Sequence, residues 1–287
     1  MAQARHPYAS RTAAFATMHR KEQVVAPALM STPGLIVTST TGLDTDQLGT
    51  FSGEIPRDGT MLDVAVRKAR LGMSAARVPL GLASEGSFGP HHAFPFIPAG
   101  MELMVFVDDE RGIVITESLI TEKTNYNHLV VLPGEASDEF LQRIGFPTHG
   151  LIVRPNEGEV TSALAKGIVD PHSLMRAIEA AAAVSSDGRA RMETDMRAHF
   201  NPTRMRSLAI LAERLAQRLV RQCPACGAPG LGRTGSRTGL LCEACGTPTA
   251  LVIAEILGCP ACDYSEERPR GDGLQRAPAQ HCPLCNP

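Results

Sequence analysis

Val78-Pro79-Leu80-Gly81-Leu82-Ala83-Ser84-Glu85-Gly86-Ser87-Phe88-Gly89 begins as a short apolar run and turns abruptly polar and glycine-rich. The apolar half predicts a buried strand over 78–83, and the second half predicts the loop that leaves it. In open α/β sheets, ligands gather beyond the carboxyl ends of strands. On this reading Glu85 sits in a loop where a carboxylate can hold a metal ion or orient a water. Gly86 and Gly89 leave a bare backbone that a ligand can approach.

The segments on either side extend the same pattern. Thr12–Thr17 reads as a strand, Met18-His19-Arg20-Lys21 as a basic loop and Glu22–Met30 as a helix with apolar residues on one face. Free backbone N–H groups and the dipole at a helix start favour an anion, so His19 and Lys21 are candidate phosphate ligands. A solvated basic turn is the plainer reading. Leu35–Ser39 is a β-branched strand, and the polar loop after it carries Glu54 and Arg57. Asp63–Met73 resumes helical spacing and includes Lys68. Beyond Gly89, strands are predicted at Met101–Val107, Gly112–Glu117, His128–Leu132 and His149–Arg154, with a helix at Ser137–Ile144. Residues 12–156 therefore read as an α/β domain, a mixed sheet flanked by helices.

The texture changes at Glu157. Val160–Ile168 and His172–Val184 are alanine-rich with helical spacing, and Arg189–Arg221 reads as helical with a break at Asn201-Pro202. Residues 157–221 thus form a predicted helical segment packed on the first domain. Within it, Glu193 and Arg197 are four apart and would pair along a helix. The sharper alternative has Asp195, His199 and Arg204 lining a pocket that faces the first domain.

All eight cysteines follow Gln222, in four C-x2-C pairs: Cys223/Cys226, Cys242/Cys245, Cys259/Cys262 and Cys282/Cys285. Each pair makes a tight knuckle offering two thiolates, and two knuckles complete a tetrahedron around Zn²⁺. Residues 222–287 therefore read as a small zinc-ribbon-like domain with two structural zinc ions. Spacing leaves the partnership open: consecutive pairs can share a metal, or the first can join the third and the second the fourth.

The chain has 287 residues and a net charge of −2, so no global basic field draws it to nucleic acid or anionic lipid. No apolar run approaches the ~18 residues of a membrane span. The start, MAQARHPYASRTAAF, lacks the apolar core of a secretory signal, which predicts a cytoplasmic protein without a membrane partner.

Five stretches, FATMHRKEQVVAPAL, GTFSGEIPRDGT, GLASEGSFGPH, ETDMRAHFNPTRM and GLLCEACG with the closing CNP, resemble a family of uncharacterised bacterial proteins known only as a domain of unknown function. Residues 12–117 are also similar in element order to the inosine and xanthosine triphosphate pyrophosphatases. That family begins strand, T-x-N-x-x-K, helix. Here Thr17-Met18-His19-Arg20-Lys21 stands in the place, with His19 for the asparagine. Its E-N-A-x-x-K-A helix is answered by Asp63-Val64-Ala65-Val66-Arg67-Lys68-Ala69, and its acidic turn by Glu85-Gly86-Ser87. The resemblance implies a Mg²⁺-dependent hydrolase of nucleoside triphosphates or a related phosphoanhydride. Glu85, Asp63 and Glu54 would then serve the metal and the water, and His19, Lys21, Arg57 and Lys68 the phosphates. Two other readings stand beside it. One is a zinc-ribbon module for nucleic acid or a protein, with a ligand-sensing α/β half. The other is a small-molecule-binding protein in which zinc is a folding staple.

Overall fold

A computed structural model describes residues 6–40, 58–91, 96–158 and 162–287. The expectations for Glu54 and Arg57 lie outside the described residues. The chain divides into two compact units, Met1–Glu110 with Thr116–Ala216, and Arg111–Ile115 with Gln217–Pro287.

The first unit contributes β1 (Thr12–Phe15), β2 (Ile36–Ser39), β3 (Leu80–Pro90), β4 (Pro98–Asp108) and residues 116–121 of β5 (Ile113–Thr121) to a mixed five-stranded sheet, order β2-β1-β3-β4-β5. Strand β1 is parallel to β2 and β3, and β3 is antiparallel to β4. Two helices connect the parallel strands, α1 (Glu22–Ser31) and α2 (Met61–Ala76). A capping box starts α2: the Thr60 hydroxyl accepts from Asp63 N, and Asp63 Oδ2 accepts from Thr60 N. The buried stripe of α2 is Val64, Ala65, Lys68, Ala69, Gly72 and Met73. It packs so close to β3 that a Cβ on Gly81 would lie 2.5 Å from Met73 Cγ and 2.9 Å from Ala69 O.

A second sheet in this unit has order β6-β9-β7-β8, with β6 (His128–Val131), β7 (Leu151–Pro155), β8 (Ala165–Ile168) and β9 (Ala190–Thr194), all antiparallel. Helix α3 (Asp138–Ile144) and helix α4 (Pro171–Val184) bury Phe140, Ile144, Leu174, Ile178 and Ala181 against Val131, Leu151, Val153, Ala190 and Met192. Helix α5 (Pro202–Leu219) follows.

Two sequence expectations are corrected here. The region 157–221 is not wholly helical, because β8 and β9 lie within it. Strand β9 is a central strand whose alternation Ala190, Met192, Thr194 buries one face, a period of two inside a segment rich in helix formers. Glu193 and Arg197 accordingly do not pair along a helix: Glu193 takes Arg154 and Arg191, and Arg197 takes Asp195. The second correction concerns β3, which does not end at Ala83. Its register with β4 runs unbroken from Leu80↔Asp108 to Pro90↔Pro98, so Glu85 is a buried residue in mid-strand rather than a loop carboxylate.

The second unit contains an antiparallel sheet of order β10-β11-β12, from β10 (Gly232–Thr238), β11 (Val252–Gly258) and β12 (Ser265–Pro269). Among the described residues no helix is long and apolar enough to cross a membrane.

Because Gly81 is in contact with helix α2, Gly81→Ala is expected to destabilise the first unit by ~1–3 kcal/mol through overpacking. A thermal melt checks this, with Gly89→Ala, where an added Cβ meets nothing within 4 Å, as the unaffected control.

Candidate functional sites

Strand β1 pairs with β3 only as far as Phe15↔Leu82, whereas β3 continues to Pro90. Past the carboxyl end of β1, therefore, the β3 edge is met by the loop into α1 instead of a strand. Lys21 begins that helix and is 8% exposed. Its Nζ donates to the Ser84 carbonyl oxygen at 3.2 Å and to Ser84 Oγ at 3.0 Å. The lysine thus takes the carbonyl that a longer β1 would have paired.

Side chains alternate along β3, so Ser84 and Gly86 face one side of the sheet and Glu85 the other. On the Glu85 side, Lys68 Nζ lies 2.6 Å from Glu85 Oε1, both residues buried. Lys68 belongs to the apolar stripe of α2, and only a carboxylate in this position lets its charge stay there. On the Ser84 side, Glu102 of β4 stands directly opposite Gly86 and is fully buried. Arg204, in the first turn of α5, grips it with Nε to Oε1 at 2.5 Å and Nη2 to Oε2 at 3.2 Å, and gives Nη1 to the Met196 carbonyl. Gly86 makes room for the fork: a Cβ there would lie 2.5 Å from Arg204 Nη2 and 2.8 Å from Glu102 Oε2.

Lys21 feels both pairs. Burial pushes its ammonium down to about 8, and Arg204 and Lys68 push the same way while Glu102 and Glu85 oppose them. His19 stacks on His199, with ring centroids 5.0 Å apart. Burial, then Lys21 and its neighbours, pushes His19 down to about 2, and burial followed by Arg197 lowers His199, so both rings are held neutral. Asp195 accepts from Arg197 Nε and Nη2 and from Gly167 N. With Glu85 on Lys68, Glu102 on Arg204 and Asp195 on Arg197, Lys21 adds a further positive charge to the cluster.

The structure therefore brings together His19, Lys21, Lys68, Glu85, His199 and Arg204, from segments read separately in the sequence. Asp63 is not among them. Its carboxylate is spent on Thr60 at the exposed start of α2, and at ~100° per residue it lies ~140° around the helix from Lys68. Among the described residues, the groups of three or more potential metal ligands are the two cysteine sets alone. Glu102 and Ser84 were missed as site residues. The signal for Glu102 was present, since a carboxylate inside a strand buried on both faces requires a cation.

In the second unit the cysteines form two sets, Cys223, Cys226, Cys259 and Cys262, and Cys242, Cys245, Cys282 and Cys285. The pairing is interleaved, first knuckle with third and second with fourth. Within each set all sulfurs lie within 4.8 Å of one another. The Sγ–Sγ distances are 3.8 Å for Cys223–Cys262, 3.6 Å for Cys226–Cys259, 3.9 Å for Cys242–Cys285 and 3.5 Å for Cys245–Cys282. Four thiolates at ~2.3 Å around a tetrahedral Zn²⁺ would be ~3.8 Å apart, so the residues fit this ion. Gly227 and Gly246 have φ of +72° and +76° and close their knuckles by donating N–H to the Cys223 and Cys242 carbonyls. Thr247 holds the Cys245 thiol down at about 6, whereas Cys285, against Cys245, is pushed up to about 12.

Removing one partner of the Glu102–Arg204 pair leaves a buried charge unmatched, so Arg204→Met is expected to cost ~3–5 kcal/mol. Chemical denaturation should show the loss, and Glu102→Leu in the same chain should restore part of it.

Comparison with curated proteins and with solved structures yields no match. The family described as "Domain of unknown function (DUF6671)" matches residues 68–287, which takes in Lys68, Glu85, Glu102, Arg204 and all eight cysteines. The chain, with its two four-cysteine sets, belongs to the DUF6671 family.

Proposed function

We propose that the first unit binds a small molecule through a phosphate or phosphoanhydride group, and that two zinc ions staple the second unit. The observation that carries the first part is Lys21. It is buried, yet its hydrogen-bond acceptors are the two neutral oxygens of Ser84, while the nearby carboxylates Glu85 and Glu102 sit on Lys68 and Arg204. A buried cation without a counter-charge is costly, and a bound anion offsets that cost. A nucleotide is one member of this ligand class.

Metal-dependent hydrolysis of nucleoside triphosphates, which the resemblance implies, demands carboxylates available to a cation. Glu85 and Glu102 are in ion pairs and Asp63 caps α2, so binding is the reading that the geometry favours. Calorimetric titration with pyrophosphate and with inosine and xanthosine triphosphates tests it. Lys21→Met should weaken binding about tenfold or more, ~1.4 kcal/mol. No pyrophosphate release with Mg²⁺ is expected, and turnover that disappears in Glu85→Gln would restore the hydrolase reading.

For the second unit, zinc supplies folding energy to a part with few buried apolar side chains, among them Leu231, Leu240, Ala254, Leu257 and Ala277. Its arginines are largely matched: Arg237 by Glu267, Arg268 by Glu266 and Arg270 by Asp272. That pattern favours a staple over a nucleic-acid-binding face. Elemental analysis should give two zinc ions per chain. Cys262→Ser should remove one of them and leave the site of Cys242, Cys245, Cys282 and Cys285 filled. Loss of both, or of neither, would contradict two independent structural sites.

A further inference from the structure

The sequence uses 28 basic residues besides histidine, and four of them are lysines: Lys21, Lys68, Lys123 and Lys166. Two of those four are buried at one place, whereas Lys123 and Lys166 are exposed. For a buried ion pair or a phosphate fork, arginine is the better residue, because its guanidinium is planar and stays charged. Lysine offers what arginine cannot, an amine that gives up its proton when desolvated. Lys68 has Glu85 as an ion-pair partner at 2.6 Å. Lys21 has Ser84, whose Oγ and carbonyl oxygen both accept from its Nζ.

The charged groups facing Lys21 come from four elements: Arg204 on α5, Glu102 on β4, Glu85 on β3 and Lys68 on α2, two of each sign. His19, in the loop ahead of Lys21, is neutral. Desolvation is thus the dominant influence, and with the ammonium held at about 8 roughly a tenth of molecules carry the free amine at pH 7. Lysines desolvated beside other cations are activated nucleophiles toward carbonyl compounds.

We infer that Lys21 is a reactive amine that forms an imine with the carbonyl carbon of a phosphorylated aldehyde or ketone. The inference rests on the anion-binding reading of the same site. The lone pair of Nζ attacks the carbonyl carbon, and both amine hydrogens leave with the carbonyl oxygen as water while C=N replaces C=O. Ser84 Oγ, 3.0 Å from Nζ, is placed to pass a proton to the departing oxygen. Once protonated, the imine keeps the positive charge of the ammonium, so the phosphate offsets it in the same way.

The probe is pyridoxal 5′-phosphate, a phosphorylated aldehyde whose imines absorb visible light. The full chain, metal-loaded, is incubated with it, reduced with borohydride and mapped by peptide mass spectrometry. Lys21 should be labelled at least about tenfold faster than Lys123 or Lys166, because an ordinary lysine is almost wholly protonated at pH 8. The rate should rise with pH through about 8 and fall when inorganic phosphate is added. Lys21→Arg, folded by circular dichroism, should lose the adduct. Labelling confined to Lys123 and Lys166 in protein that binds phosphate overturns the imine and leaves the anion site standing. Lys21 labelled equally well by unphosphorylated pyridoxal, with no competition from phosphate, overturns the phosphorylated ligand class and the anion reading together.

Discussion

The rule that a buried charge must find a partner organises the first unit. Helix α2 carries Lys68 in an otherwise apolar stripe, and helix α5 carries Arg204 into a place with almost no exposure. Each is admissible only because adjacent strands present a carboxylate at the matching position, Glu85 on β3 and Glu102 on β4. These pairs do more than neutralise. They fix the register of two helices against one strand pair and deliver both to the place where β1 stops short. Lys21 breaks the rule, and the function proposed for the unit follows from that exception. Its polar contacts are those of a chain terminus borrowed by a side chain, adequate for hydrogen bonding but not for charge.

The second unit answers a different constraint. An antiparallel meander puts successive turns at alternate ends of its sheet. The first and third knuckles lie where β10 begins and β11 gives way to β12, around Gly232↔Gly258 and Gly258↔Ser265. The second and fourth flank the opposite end, near Thr238↔Val252 and Ala254↔Pro269. Interleaved pairing is therefore a consequence of strand direction. A seven-residue strand separates the two ends by ~20 Å, so the two sets of sulfurs stand apart. Consecutive pairing would require knuckles at opposite ends of the sheet to meet.

Much of the secondary structure was legible along the chain. The starts of α1 and α4 and the strands around Met104 and Val130 follow from apolar spacing that acts locally, and Asp170 caps α4. The misreadings share a cause. At Ser84, Glu85 and Glu193, polar side chains inside strands looked like loop or helix surface, because Lys21, Lys68 and Arg154, their partners, lie elsewhere in the sequence. Asp63 presents the opposite case. Its capping role is local, and Thr60 three residues earlier already declared it.

By itself the sequence determined the mixed α/β character and the four knuckles, because periodicity and ligand chemistry are properties of short stretches. Which groups meet was decided only in three dimensions. The antiparallel meander sorted the cysteines into two sets of four. The long β3–β4 ladder buried Glu85 and Glu102, and α5 returned Arg204 to a strand 102 residues away. Desolvation is a tertiary property, and it turned four ordinary cations into two paired lysine and arginine charges, one arginine held by Asp195, and one lysine with none.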